Sequence, residues 1–257
     1  MPRIDPTARV SLHAEIADDV RIGPWCIVGR DVRLSEGVQL RSSVVLDGKT
    51  TVGPRCVFHH GAVVGSEPQD LKYRGGRSSV QIGSDNVFRE YCTVNRATDE
   101  GQETLIGDSN LIMAYAHIAH NCVLGDHVIL ANSANLAGHV TLGDYVIIGG
   151  VTPVHQFVKV GPHAIIGGGC RVPKDVVPFV RAAGNPLRVN GLNSVGLMRR
   201  GFSEEVRREL RKLYRIFFRT NLLVSEALAR IRSECLPLAE VELFCSFVEG
   251  SERGLTR

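Results

Sequence analysis

The sequence predicts an all-β fold, a parallel β-helix of hexapeptide repeats, followed by a C-terminal α-helical domain. Three observations predict it. Stepping by six from Ile4 meets Val10, Ile16, Ile22, Val28, Leu34, Leu40, Leu46, Val52, Phe58 and Val64 without a miss. The step resumes at Ile82, Phe88 and Val94, and again from Ile106 through Val172. The position four further on stays small or β-branched, as in Ala8, Ala14, Val20, Cys26, Ala116, Cys122, Val128 and Ala134. The pattern then stops near Pro178, and helical spacing takes over.

A fixed period of this kind marks a solenoid. Its narrow interior must fill at close-packed density, so one large aliphatic and one small residue share each hexad. Cys26, Cys56, Cys92, Cys122 and Cys170 all fall at the small inward position, as buried free cysteines do. Ser66 to Ser79 and Ala97 to Thr104 break the period with polar, turn-rich sequence, so they predict external loops. Residues 1–189 form the expected β-helix domain and residues 190–257 the helical domain. In the latter, Ser203 reads as an N-cap with Glu204 and Glu205 in the first turn. Val206, Leu210, Leu213, Phe217 and Phe218 give that helix an apolar stripe. Leu222 to Ile231 and Val241 to Val248 predict two more helices that cover the solenoid end.

Composition narrows the function classes. Hydrophobic residues are 44% and charged residues 22%, enough for a core and too little charge for wholesale disorder. Aromatics at 6% beside 27 glycines suit a repetitive turn-rich fold. A net charge of +3 gives no ground for nucleic acid as a partner. No apolar leader follows Met1, and no run reaches the length of a membrane span, so a cytoplasmic protein is expected. Seven cysteines without a CxxC pair argue against a disulfide framework.

The pattern is similar to that of hexapeptide-repeat proteins, in which three hexads close one triangular coil of 18 residues. That resemblance also implies a left-handed winding, since generic crossover rules favour the right hand. Residues 18 apart then stack about 4.8 Å apart. His120 stacks with Gly138, and Gly138 with Gln156. His139 and His155 adjoin this column, and His117 lies three residues before His120. Three chemistries fit such an edge. One imidazole can act as a general base. Three imidazoles can hold a metal. A polar edge can pack against another subunit.

The stretch NLIMAYAHIAHNCVLGDHVILANSANLAGHVTLGDYVIIGGVTPVHQF, from Asn110 to Phe157, resembles the UDP-N-acetylglucosamine acyltransferase family. So do QDLKY at Gln69 to Tyr73, RGF at Arg200 to Phe202, and the ending RGLTR. The resemblance covers the whole chain. It implies a homotrimer that moves an (R)-3-hydroxyacyl chain from acyl carrier protein to the 3-position of UDP-N-acetylglucosamine. That reaction begins lipid A synthesis and requires no cofactor or metal. His120 is implied as general base and the Gly138 N–H as oxyanion donor. Gln69, Asp70, Lys72, His117, His139, His155 and Gln156 are implied to contact the sugar and acyl groups. Asn193, Arg199 and Arg200 are implied to hold the uridine diphosphate. Gly168 is implied to bound an acyl groove, since members selecting shorter chains carry a bulky residue there. The first loop is expected to reach a neighbouring subunit, and the basic helix bearing Arg207, Arg208, Arg211, Lys212, Arg215 and Arg219 to dock the acidic carrier.

Three positions depart from the family pattern. Asn121 follows His120 where many members have Asp, Pro186 stands where many have His, and Val195 replaces an acidic residue. They leave open whether the acceptor carries a 3-hydroxyl or a 3-amino group. A related N-acyltransferase, a metal-dependent hydratase and a non-catalytic scaffold are the competing readings. The first carries an additional N-terminal domain for which hexads starting at Ile4 leave no room.

Overall fold

The computed structural model describes residues 1–257, wound into a left-handed parallel β-helix with three flat faces. Most strands are two residues long, such as His117–Ile118 and Val123–Leu124. So short a strand carries little of the twist that normally dictates a right-handed crossover. Leu111 pairs with Ile129, His117 with Asn135 and Val123 with Thr141, so the coil is 18 residues on every face. Leu111–Ile112 belongs to face one, His117–Ile118 to face two and Val123–Leu124 to face three. Face one has 11 strands and the others 8 each.

Most corners turn through a residue in the left-handed region. Asn121, His139 and Phe157 have φ of 59°, 62° and 64°. Asn and His tolerate this region better than most residues; Val151, at φ 54°, is a β-branched exception. The aliphatic positions point inward and are closed from solvent: Leu46, Ile118, Leu130, Leu136 and Ile148 are all fully buried. Phe58 and Phe88 stack in the core with centroids 4.6 Å apart. They adjoin the first insertion, across which the register lengthens from 18 to 30 residues, Val57 pairing with Val87. Across the second it is 24, Thr93 pairing with His117. Both insertions leave face two and re-enter face three, so they emerge from a single edge.

At the C-terminal end Val180–Ala183 extends face one and pairs antiparallel with Arg188–Leu192. That last strand carries the sheet past the expected 189/190 division. Four helices follow: α1 Ser194–Arg199, α2 Glu204–Phe218, α3 Val224–Glu234 and α4 Ala239–Glu249. Ser203 caps α2 by accepting from Val206 N at 3.2 Å. Helix α1 escapes a periodicity reading because six residues show less than two turns. The chain end returns to the solenoid, where Thr256 N donates to Asp175 O at 2.8 Å and Asp175 N to Gly254 O at 3.0 Å.

All seven cysteines are free and buried. Burial pushes the Cys92 and Cys122 thiols up to about 12. The native protein is therefore expected to react with a thiol reagent at pH 8 far more slowly than the unfolded chain, which should release all seven thiols. Rapid labelling of native Cys92 or Cys122 would contradict the closed interior.

Candidate active site

The edge between faces two and three carries Ala119–His120–Asn121, then Ala137–Gly138–His139, then His155–Gln156–Phe157, one coil apart. The His120 ring lies across Gly138. A Cβ at that position would stand 2.4 Å from Cε1 and 2.5 Å from Nε2, so only glycine admits the imidazole. The Gly138 N–H donates to no acceptor in the chain. His139 meets the His120 ring edge-on at 5.2 Å between centroids and stacks on Phe157 at 4.6 Å. His117 lies on face two, its Nδ1 2.7 Å from Thr93 Oγ1. Burial, with His120's charge as the lesser cause, holds the His117 and His139 imidazoles below their usual pKa, so both favour the neutral form.

Both insertions fold onto this edge. Asp70 of the first places Oδ2 3.8 Å from His120 Nε2. The Lys72 N–H donates to Asp70 Oδ1 at 2.9 Å and is the main reason this carboxyl lies below its ordinary pKa. Thr98 of the second insertion donates its hydroxyl to Asp70 Oδ2 at 3.2 Å. Asn121 Oδ1 lies 2.9 Å from His120 Nδ1. An amide oxygen only accepts, so Nδ1 carries the proton and neutral His120 presents a lone pair at Nε2. The imidazole is 13% exposed, reachable yet sheltered. The edge thus sets a ring nitrogen within 3.8 Å of a carboxylate, with the ring against a glycine whose N–H is unpaired.

The structure divides the remaining residues named from the sequence. Gln69, Lys72 and Gln156 are exposed beside the edge. The His155 ring is held by Arg253, whose Nη2 lies 2.7 Å from Nδ1, and by the Gln156 carbonyl oxygen 3.2 Å from the same nitrogen. Arg253, from the chain end, had no periodic signal to announce it. Within the chain, Asp70 of the first loop lies against His120. Asn193, Arg199 and Arg200 lie elsewhere. Asn193 is buried as the N-cap of α1, with Oδ1 accepting from Gly196 N at 3.1 Å and Nδ2 donating to His163 O at 2.9 Å. It holds α1 in place with one of its two N–H donors and one lone pair of its oxygen. Arg199 is exposed, and the Arg200 guanidinium lies 4.6 Å from the Tyr145 ring. Tyr145 and His163 stack on the edge between faces three and one, with centroids 4.9 Å apart.

Gly168 also falls away from the histidine column. It is not a whole number of 18-residue coils from His120, and it occupies the edge between faces one and two. No groove runs along one edge from His120 to Gly168. Positive φ does not explain these glycines either, since only Gly169 of the cluster adopts it. A Cβ at Gly149 would come 2.3 Å from Gly168 N, so close coil stacking requires that glycine. At Gly168 the nearest atom is Gly150 O at 3.1 Å, and its other side is open. No three His, Cys, Asp or Glu side chains converge in a metal-holding arrangement.

A hexapeptide solenoid with a sheltered imidazole beside a carboxylate on one edge is the architecture of a bacterial transferase. Residues 103–138 match the bacterial transferase hexapeptide model, and residues 175–256 match the second domain of UDP N-acetylglucosamine O-acyltransferase. The acyl-[acyl-carrier-protein]–UDP-N-acetylglucosamine O-acyltransferase of Thermodesulfovibrio yellowstonii is 45% identical over 258 residues, covering 100% of both chains. That of Akkermansia muciniphila is 50% identical, covering 99% of each. The structure of the UDP-N-acetylglucosamine acyltransferase LpxA from Bacteroides fragilis superposes with a TM-score of 0.96 at 36% identity, covering 99% of this chain and 100% of that one. The chain belongs to the UDP-N-acetylglucosamine O-acyltransferase family and is an acyl-transferring enzyme.

Burial, aided by the Arg200 charge, lowers His163 from its ordinary 6.5 to about 4. Folding therefore favours the neutral ring. Below pH 6.5 the unfolded chain takes up this proton first, so the stability held above 6.5 is lost progressively toward pH 4. His163→Phe, which keeps the ring stack, is expected to flatten this part of the curve in urea unfolding. Equal pH slopes for both proteins between 6.5 and 4 would contradict the assignment.

Proposed function

We propose that the enzyme transfers a 3-hydroxyacyl chain from an acyl carrier protein thioester to the 3-position of UDP-N-acetylglucosamine, the opening step of lipid A synthesis, with His120 as general base. The observation that carries this reading is the Asn121-fixed imidazole, its free Nε2 beside Asp70 and its ring against Gly138. Nε2 takes the proton of the sugar 3-hydroxyl as that oxygen bonds to the thioester carbon. The Gly138 N–H meets the resulting oxyanion. Collapse breaks the carbon–sulfur bond, and His120 returns its proton to the leaving thiolate. Asp70 offsets the positive charge His120 carries in between. His117, His139, His155, Gln69, Lys72 and Gln156 contact the sugar and acyl groups in this reading.

The split arrangement favours an active site shared between copies of the chain in a homotrimer. The pyrophosphate is bonded directly to the sugar, so its ligands must lie within a sugar ring's reach of the base. In one chain the His120 and Tyr145–Arg200 edges are separated by a whole face, up to roughly 20 Å for six extended residues. The Arg200 and Gly168 edges both flank face one, and the His120 edge lies opposite that face. A ring of copies joined head to tail brings the two sides together. Trp25, Tyr91, Tyr115 and Val151 line the edge beside face one and are all more than half exposed, as a contact surface requires. Arg199 and Arg200 then hold the diphosphate, and the open side of Gly168 admits the acyl tail. The carrier docks on α2. Glu204 already pairs with Arg207 and Arg211, so Arg215 and Arg219, which line a concavity of about 430 Å³, carry the charge left for an acidic partner. No helix is long and apolar enough to cross a membrane, which accords with a cytoplasmic enzyme acting on soluble substrates.

His120→Ala is expected to lower kcat/KM by about 10²–10⁴-fold with an unchanged thermal unfolding midpoint, since a corner side chain supports no core packing. Wild-type turnover should survive EDTA. A His120→Ala enzyme within a few-fold of wild type would remove the base from this reading, and loss to EDTA restored by zinc would replace it with metal chemistry.

A further inference from the structure

The second insertion grips both groups that flank His120. Thr98 is buried, 7% exposed, and has two heads. Its backbone N–H donates to Asn121 Oδ1 at 3.0 Å, and its hydroxyl donates to Asp70 Oδ2 at 3.2 Å. Gln102 Oε1 accepts from Asn121 Nδ2 at 2.5 Å, and Asn121 N donates to Thr104 Oγ1 at 2.9 Å. The left-handed corner at Asn121 turns its side chain back beneath the imidazole.

These contacts decide which way the amide faces. A flipped Asn121 would set its NH₂ against the Thr98 N–H, a backbone donor that cannot turn, and would oblige the Gln102 amide to turn as well. It would also ask His120 Nδ1 to accept a proton, which would move the ring hydrogen to Nε2 and block the base. A carboxylate at this position has two acceptor oxygens and needs no such guide. An amide has one correct orientation and must be held in it.

We infer that Gln102 and Thr98 are positioning residues that lock the Asn121 amide, so that a neutral side chain fixes the reactive tautomer of His120. The inference rests on His120 being the base. It extends that reading to the second insertion, whose purpose is then to orient a dyad partner that cannot orient itself. Gln102 is the residue to test, because it is exposed and contacts the site only through Asn121. Thr98 supports the loop as well and is a poorer probe.

Charge makes the second half of the test. The titratable groups facing His120 are Asp70 on the first insertion, His117 and His139 on the neighbouring coil positions, with Lys72 and Asp99 beyond them. None lies on the Nδ1 side, where Asn121 is neutral. Asn121→Asp adds a negative charge there and removes the need for Gln102.

The experiment measures kcat, KM and the pH profile of kcat/KM for full-length Gln102→Leu, Gln102→Glu, Asn121→Asp and the double variant Asn121→Asp with Gln102→Leu. Gln102→Leu should lose about tenfold in kcat with KM for the nucleotide sugar within twofold, as expected for one hydrogen bond removed from an orienting partner. Gln102→Glu, which still accepts from Nδ2, should restore most of it. Asn121→Asp should move the acidic limb of the profile up by about one unit, and Gln102→Leu should then cost little in that background. The inference is overturned if Gln102→Leu keeps wild-type kcat, or if its loss is the same with Asp at 121. His120→Ala run alongside separates the causes. An inactive His120→Ala beside an indifferent Gln102 leaves the base and removes only the positioning; an active His120→Ala removes both.

Discussion

Hydrogen bonds between successive coils, such as Ala131 N to Ile148 O and Gly149 N to Ile166 O at 2.9 Å each, hold residues 18 apart in register. The placement of the coil residues follows from that spacing. It puts His120 against Gly138, stacks Tyr145 on His163, and sets Gly150 beside Gly168. The same spacing separates these three sets onto three edges. A rigid triangular rod cannot bend one edge toward another, because its interior is packed solid from Val20 to Val176. Chemistry that needs all three must come from contact between rods.

The insertions supply what the repeat cannot. A pure solenoid offers short side chains on a straight edge, with few groups around any one of them. By leaving between faces two and three, both loops lay polar groups over the histidine edge without disturbing the coils beneath. The first brings Asp70, itself braced where Arg96 Nη2 donates to Tyr73 OH at 2.7 Å and pairs with Glu67 at 3.1 Å. The second brings Thr98 and Gln102. The C-terminal segment adds Arg253 at His155 and is pinned through Asp175, which is buried and accepts from Ser251 Oγ and Lys159 N. The rod therefore sets position, and the non-repeating segments set protonation and charge.

That division also explains what the sequence discloses. Val172 and the aliphatic residues before it, the inward cysteines, the His120–Gly138–Gln156 column and the Ser203 cap are legible because each obeys a period or a local capping rule. Asp70 beside His120 is legible only through family resemblance. The partnership of Thr98 and Gln102 with Asn121 is not legible at all, because loop contacts obey no spacing. Arg253 at His155 joins residues 98 apart for the same reason. Gly168 stands beside Gly150 on a different edge from His120, because its phase within the coil differs. Asn193 shows why a polar residue at a helix start is ambiguous in sequence: cap residues and binding residues draw on the same polar types.

An active site assembled from two copies can be tested by subunit complementation. His120→Ala and Arg200→Ala variants, each impaired alone, are mixed in equal amounts, dissociated and allowed to reassociate. If the His120 edge of one copy works with the Arg200 edge of the next, random mixing in a head-to-tail ring rebuilds roughly a quarter of the intact sites, and activity returns to about that fraction of wild type. If each chain carries a complete site, mixing gives only the average of the two parents, and the shared site is wrong.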